Sequence, residues 1–190
     1  MDKMGRKILM VDNATINLNK LKKSFNKYKI NIERYNKIKN PEKYDLIVLS
    51  GGSGFSVVNH KNVFKKEIRL IKNSKIPILG ICLGAEIIAI SFGGKLKKSL
   101  SKEKGIMEIK KIKNDPLIKG LPNKFKVYES HRWIIKNCKN LIPLAKSKKG
   151  IEIIKHPSKK IYGVQFHPEM FKNKTKGYKI IKNFLEISKK

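Results

Sequence analysis

Ile76-Pro77-Ile78-Leu79-Gly80-Ile81-Cys82-Leu83-Gly84-Ala85-Glu86 is the stretch on which the fold turns. Ile76–Ile81 is an apolar run of strand length, and Ala85–Phe92 is an apolar run of helical type that stops at Gly93-Gly94. Between them, Gly80-Ile81-Cys82-Leu83-Gly84 has the form of a nucleophile elbow, with cysteine where hydrolases of that kind carry serine. A sharp strand-to-helix turn holds the nucleophile in a strained backbone conformation. Glycines on either side let strand and helix pass closely. A thiol at a helix N-terminus is favoured as thiolate, and the Leu83 N–H is free to stabilise an oxyanion. Read alone, a cysteine here is equally a small buried hydrophobe. Cys138, among Lys136, Asn137, Lys139 and Asn140, has no such surroundings and is not assigned a chemical role.

Upstream, strand and helix signals alternate. Lys7–Val11 reads as a strand, followed by a turn at Asp12-Asn13 and a helix carrying Ile16, Leu18, Leu21 and Phe25. Ile30–Tyr35 is a second strand. Asp45–Leu49 is a buried-type strand that runs into Ser50-Gly51-Gly52-Ser53-Gly54, and Val63, Phe64, Ile68 and Ile71 mark a further helix. Such alternation predicts an α/β fold with a mostly parallel central sheet flanked by helices, and ligands beyond the carboxyl ends of its strands. Glycines at two of those ends, Gly51 and Gly80, point to a site there. The second half differs. Met107–Ile112, Phe125–Ser130, Ile151–Lys155 and Ile161–Gln165 read as strands joined by turns such as Asn114-Asp115-Pro116, predicting antiparallel additions. A last helix carries Tyr178, Ile181, Phe184 and Leu185 on one face. A single domain over residues 1–190 accommodates all of this.

After the last strand comes Gly163-Val164-Gln165-Phe166-His167-Pro168-Glu169. A thiol nucleophile needs a histidine to take its proton and return it to the leaving amine. That histidine needs a carboxylate to fix its tautomer. Pro168 biases His167 toward an extended conformation, from which residues 167 and 169 project to the same side. Taken alone the segment is a surface His-Pro-Glu turn; with the cysteine elbow it completes a Cys-His-Glu set.

The chain of 190 residues carries 45 basic and 14 acidic residues, a net charge of +31. Only Arg6, Arg34, Arg69 and Arg132 are arginines, so the excess is lysine, scattered from Lys3 to Lys190. Phosphate neutralisation on nucleic acid is one reading of such charge. The scatter and the lack of interleaved stacking aromatics favour solvated lysine faces instead. Two cysteines make no disulfide framework, and with no C-x-x-C pair no metal site is expected. No apolar run approaches a bilayer span. Met1–Lys7 is not followed by the apolar stretch of a signal peptide, so a cytoplasmic protein is expected. Gly51-Gly52-Ser53-Gly54 lacks the Gly-Lys-Ser/Thr of a phosphate loop.

These motifs together resemble the class I, or triad, glutamine amidotransferases. Val11-Asp12-Asn13, Leu49-Ser50-Gly51-Gly52, Pro77–Gly84, Ser130-His131, Tyr162–Glu169 and Asn183-Phe184-Leu185 follow in the family's order. The resemblance implies a flavodoxin-like fold, with Cys82 as nucleophile, His167 as acid/base and Glu169 as its orienter. It implies oxyanion N–H groups at Gly51, Gly52 and Leu83, and glutamine contacts from Ser130 and His131. One departure stands out. Where the family usually has Gln four residues after the nucleophile, this chain has Glu86, which when ionised only accepts hydrogen bonds. Glu86 would meet the substrate ammonium, weaken glutamine binding, or simply pair with a lysine. The resemblance further implies no cofactor in this chain, with ATP and Mg2+ on a partner ATP-dependent synthetase that receives the ammonia. Ser50-Gly51-Gly52 and Lys155-His156 lean toward the group serving archaeal GMP synthases; the glutaminases of anthranilate or aminodeoxychorismate synthase are the alternative. A different cysteine hydrolase of similar topology, or a degenerate binding module with Glu86 as its mark, are the competing readings.

Overall fold

A computed structural model describes residues 5–189 of the chain. Residues 1–4 and 190 lie outside the described residues; with them fall the first and last lysines and the start of the segment read for a leader.

The first half builds as its hydrophobic pattern requires. Strands β1 (Lys7–Asp12), β2 (Lys29–Arg34), β3 (Leu46–Leu49) and β4 (Ile78–Ile81) alternate with helices α1 (Leu18–Lys23), α2 (Lys65–Asn73) and α3 (Leu83–Ser91). β3 and β4 are buried at every position, as strands covered on both faces must be. Ile16, counted on the apolar face of the first helix, is instead exposed ahead of α1. The second half adds β5 (Lys95–Lys111), β6 (Lys124–Asn137), β7 (Ile142–Lys146), β8 (Ile151–Lys155), β9 (Ile161–Val164) and helix α4 (Gly177–Ile187).

Among the described residues these nine strands join one sheet in the order β2-β1-β3-β4-β9-β8-β6-β5-β7. The pairings β2–β1, β1–β3, β3–β4 and β4–β9 are parallel. Every pairing beyond β9 is antiparallel. The expected sheet is therefore corrected in its balance: it is α/β, but half parallel and half antiparallel. The reason is the length of β5 and β6, which pair with each other from Lys95–Asn137 to Lys110–Lys124 and form a broad antiparallel wing. Most of β5 is exposed or half-buried, so its first half, Lys-Leu-Lys-Lys-Ser-Leu-Ser-Lys, lacks the apolar alternation by which a strand is recognised.

The core lies on both faces of the sheet. Ile8, Met10, Val48 and Leu79 pack with Leu21 and Phe25 near α1 and with Ile181 and Phe184 of α4. Leu9, Val11, Ile47 and Leu49 pack with Ile71 of α2 and Ile87 and Ile88 of α3. Asn183 of α4 donates to the carbonyls of Leu117 (2.8 Å) and Lys119 (2.9 Å), tying the closing helix to the loop after β5. Lys155 meets Asp115 at 2.6 Å, and Asp115 also accepts from the Leu117 N–H.

The elbow is set by two close approaches. A Cβ on Gly80 would lie 2.6 Å from the backbone of Gly84, and one on Gly84 would lie 2.6 Å from the Leu49 carbonyl oxygen. Neither neighbour can yield, because both are backbone of the central strands and of α3. Gly84→Ala is therefore expected to lower stability by about 1–3 kcal/mol, read as a shift of the urea midpoint at unchanged slope.

Candidate active site

The site forms where β3, β4 and β9 end at the same edge of the parallel half-sheet. Cys82 follows β4 at φ 50° and ψ −108°, a conformation that L residues avoid, and caps α3. Its own N–H donates to the Val164 carbonyl of β9 at 2.8 Å, and its carbonyl accepts from Glu86 N–H at 3.0 Å. The strained residue is thus bonded on both sides. The Leu83 N–H favours the ionised sulfur and marks where an oxyanion would be met.

His167 comes from the segment after β9, placed by its N–H donating to the Tyr128 carbonyl of β6 at 2.8 Å. Its Nδ1 lies 2.9 Å from Glu169 Oε1, with both side chains buried. The carboxylate fixes the proton on Nδ1 and leaves Nε2 as the basic nitrogen. The geometry that achieves this differs from the extended run expected: Pro168 and Glu169 form a turn closed by Met170 N–H on the His167 carbonyl at 3.2 Å.

Gly51 joins the two halves. A Cβ there would lie 3.0 Å from His167 Cε1, 3.8 Å from His167 Nε2 and 3.4 Å from Cys82 Cβ. One added methyl would touch both residues, so the Cys82 Cβ and the His167 imidazole both lie against this glycine. Gly52 is equally constrained, since a Cβ there would lie 2.0 Å from the Asn13 carbonyl oxygen. The loop is braced from behind. Ser50 Oγ accepts from Asn13 N–H at 2.9 Å, and Asn13 Nδ2 donates to the Ser50 carbonyl at 3.0 Å and to Glu67 Oε1 at 3.1 Å.

The remaining expected residues divide. Glu86 is buried and accepts from Gln165 Nε2 at 3.0 Å; its partner is an amide and not a lysine. Ser130 is half-buried on β6 and shares a face with Tyr128, whose ring centroid lies 6.5 Å from that of His167. His131 alternates to the opposite face, where Nδ1 meets the Trp133 carbonyl at 2.7 Å and Nε2 meets Glu129 at 3.0 Å. His156 packs its ring against Phe92 at 4.7 Å.

The family model for "Glutamine amidotransferase class-I" matches residues 9–187. This chain belongs to the class I glutamine amidotransferases. Among its relatives, a glutamine-hydrolyzing GMP synthase subunit of Methanococcus vannielii is 37% identical over 153 residues, covering 78% of this chain and 76% of that protein. The corresponding protein of Pyrococcus abyssi is 40% identical over 143 residues, 74% of each. A solved structure from Thermoplasma acidophilum, ascribed to a GMP synthase, superposes with a TM-score of 0.86 at 28% identity, covering 97% of this chain and 94% of that one. A glutamine amidotransferase structure from Thermotoga maritima gives 0.74 at 22% identity, covering 97% of this chain and 82% of that one, a likeness of fold.

The electrostatics of this amidotransferase site depart from expectation at the sulfur. Burial, and then the carboxylates of Glu86 and Glu129, push the Cys82 thiol well above the ordinary thiol range; Glu169 adds to this. The Leu83 N–H works in the opposite direction and is outweighed. The expected resting thiolate is thus replaced by a resting thiol. The partial charge of one helix end does not compensate for removing a sulfur anion from water beside three acids. Burial also raises Glu86 to about 7, Glu129 to about 7, and Glu67 and Glu152 to about 8.

Sequence reading missed Asn13 as a brace, and Glu67, Gln165, Glu129 and Glu152. Glu67 carried a usable signal, since it lies between Phe64 and Ile71 on the apolar stripe of α2.

Two outcomes follow from these shifts. Glu67 binds its proton more tightly folded than unfolded, so its contribution is full below the usual carboxylate range and declines as pH rises toward 8. Glu67→Gln should remove that decline. Relative to the parent, its urea-derived stability should gain about 1.4 kcal/mol per pH unit between about pH 5 and 7. Glu86→Gln keeps an acceptor for Gln165 and deletes a charge beside the sulfur. The pH profile of Cys82 alkylation by iodoacetamide should then move to lower pH, and an unmoved profile would refute the coupling.

Proposed function

We propose that this chain is the glutaminase subunit of a GMP synthase, releasing ammonia from glutamine for amination of XMP by a separate ATP-pyrophosphatase subunit. The observation that carries the hydrolytic half is Gly51, against which the Cys82 and His167 side chains both pack, with Glu169 behind the imidazole. The GMP half is supported by the relatives, which are glutamine-hydrolyzing GMP synthase subunits matched over about three quarters of their length.

The reaction begins from the neutral thiol. As the Cys82 sulfur attacks the side-chain amide carbon of glutamine, His167 Nε2 takes the thiol proton, and Glu169 stabilises the imidazolium that forms. The resulting oxyanion lies toward the N–H of Leu83 and the Gly51-Gly52 loop. Collapse breaks the carbon–nitrogen bond, and the imidazolium returns its proton to the departing nitrogen, so ammonia leaves and a glutamyl thioester remains. Water, deprotonated by the same nitrogen, then displaces the sulfur and yields glutamate. The full positive charge develops only on an imidazole already paired with a carboxylate, so a buried thiol ionises only as it reacts. Such a site is quiet without substrate.

In this reading Ser130 faces the glutamine from the Tyr128 side of β6, and Glu86, held by Gln165, lies close to its charged end. ATP and Mg2+ reside on the synthetase partner. The lysine surface remains solvated, and the protein works in the cytoplasm. Among the described residues no helix is long and apolar enough to cross a membrane.

The test separates the two halves of the proposal. With the ATP-pyrophosphatase partner present, Cys82→Ala should lower glutamine-dependent GMP formation by about 10^4-fold or more and leave ammonia-dependent formation intact. Retained glutamine-dependent activity would refute the nucleophile. Glutamate release with no GMP formation alongside that partner would refute the acceptor.

A further inference from the structure

On the face of β6 opposite Tyr128 and Ser130, a second buried polar cluster is built from Glu129, His131 and Glu152. It occupies the gap where β6 and β8 diverge, since these strands pair only at Ile135–Ile151. The side chains of His131 and Glu129 are 3% and 4% exposed, and Glu152 is buried beside them. His131 Nδ1 lies 2.7 Å from the Trp133 carbonyl oxygen, which can only accept, so the ring proton is on Nδ1. In the neutral ring Nε2 then presents a lone pair, and it lies 3.0 Å from Glu129 Oε2. Both oxygens of Glu129 and Oε2 of Glu152 are buried with no hydrogen-bond donor. Ligand atoms from the three residues all lie within 4.8 Å of one another. Apart from the His131 ring itself, these acceptors thus converge on one point with no cation between them.

The surroundings do not supply that charge. The cluster forms one wall of a cavity of about 840 Å³ that is also lined by Lys146 and Lys149. Lys149 is drawn to Glu103 at 3.5 Å, and among the described residues no lysine amine pairs with Glu129 or Glu152. Burial raises both carboxyls, as expected of acids held away from water without a cation.

We propose that Glu129, His131 and Glu152 bind a divalent transition-metal ion of the Zn2+ type. One imidazole nitrogen with two carboxylates suits zinc better than magnesium or calcium, which prefer all-oxygen sets. Three protein ligands leave a coordination position open toward the cavity, which also provides the entry path. The Trp133 carbonyl on the far nitrogen is the outer partner that metal-bound histidines ordinarily have. Zinc bonds of about 2.1 Å place tetrahedral ligand atoms about 3.4 Å apart, within reach by rotation of the glutamate side chains. Paired cysteines are the metal signal legible in a sequence, and this site has none, so no motif announces it.

Zinc titration calorimetry tests this on the full chain carrying Cys82→Ala and Cys138→Ala, which removes thiols that would bind zinc themselves. At about pH 8, where protons compete less with the metal for the ligands, one equivalent should bind with micromolar or tighter affinity. Glu152→Gln in the same background should weaken it at least tenfold. X-ray absorption of the loaded protein should show nitrogen and oxygen ligands with a single imidazole. Absence of saturable binding, an affinity unchanged by Glu152→Gln, or a shell with two or more imidazoles would overturn the proposal. Should the Glu152→Gln protein not fold, the absorption spectrum of the Cys-free protein decides. The nucleophile is absent throughout, so the result is independent of the glutaminase reading.

Discussion

The structure depends on one backbone constraint, the positive φ of Cys82 between β4 and α3. Such a conformation costs on the order of 1–3 kcal/mol and persists only where the surroundings leave no alternative. Here they leave none. Gly80 and Gly84 let α3 descend onto the ends of β3 and β4 at distances that no side chain permits, and β9 accepts the Cys82 N–H. Because β9 is also the strand that leads into His167, the bond that holds the elbow fixes the position of the base relative to the sulfur. Fold and chemistry share the same few contacts.

The site is acidic within a strongly basic protein. The chain has a net charge of +31, and among the described residues its lysines and arginines are exposed or half-buried, whereas Glu67, Glu86, Glu129, Glu152 and Glu169 are all buried. Most of the acids lie around the sulfur and the imidazole, where they act in opposite senses. Glu169 supports the imidazolium, and Glu86 and Glu129 oppose the thiolate. The balance favours the proton on sulfur, and in the proposed mechanism its transfer to His167 becomes part of the reaction itself. A cysteine ionised at rest would be open to any electrophile; a buried, protonated one reacts only with a substrate held against the oxyanion donors.

The parallel half of the fold and the residues brought together at its strand ends were legible in the sequence because each is encoded locally. Gly80-Ile81-Cys82-Leu83-Gly84 carries its own steric logic, and His167-Pro168-Glu169 holds base and orienter two positions apart. The strand Ile151–Lys155 matches its expected bounds to the residue. The antiparallel wing was less legible. β7 went unmarked, and the first half of β5 is lysine-rich and mostly exposed, so neither period nor propensity reveals it. The polar brace behind the oxyanion loop was hidden for another reason. Asn13, Ser50 and Glu67 come from three separate loops and helices, and only the folded topology makes them neighbours.

The same topology explains why an acidic cluster sits so close to the catalytic pair. β6 alternates, and successive residues serve different masters: the Tyr128 carbonyl seats His167, while Glu129 and His131 turn to the other face and meet Glu152. Glu129 nevertheless remains near enough to raise the Cys82 thiol. Charge in this cluster is therefore felt at the sulfur. A cation among these acids would cancel one of the charges that hold the sulfur protonated, so metal occupancy and thiol acidity are coupled by geometry, with no conformational change required.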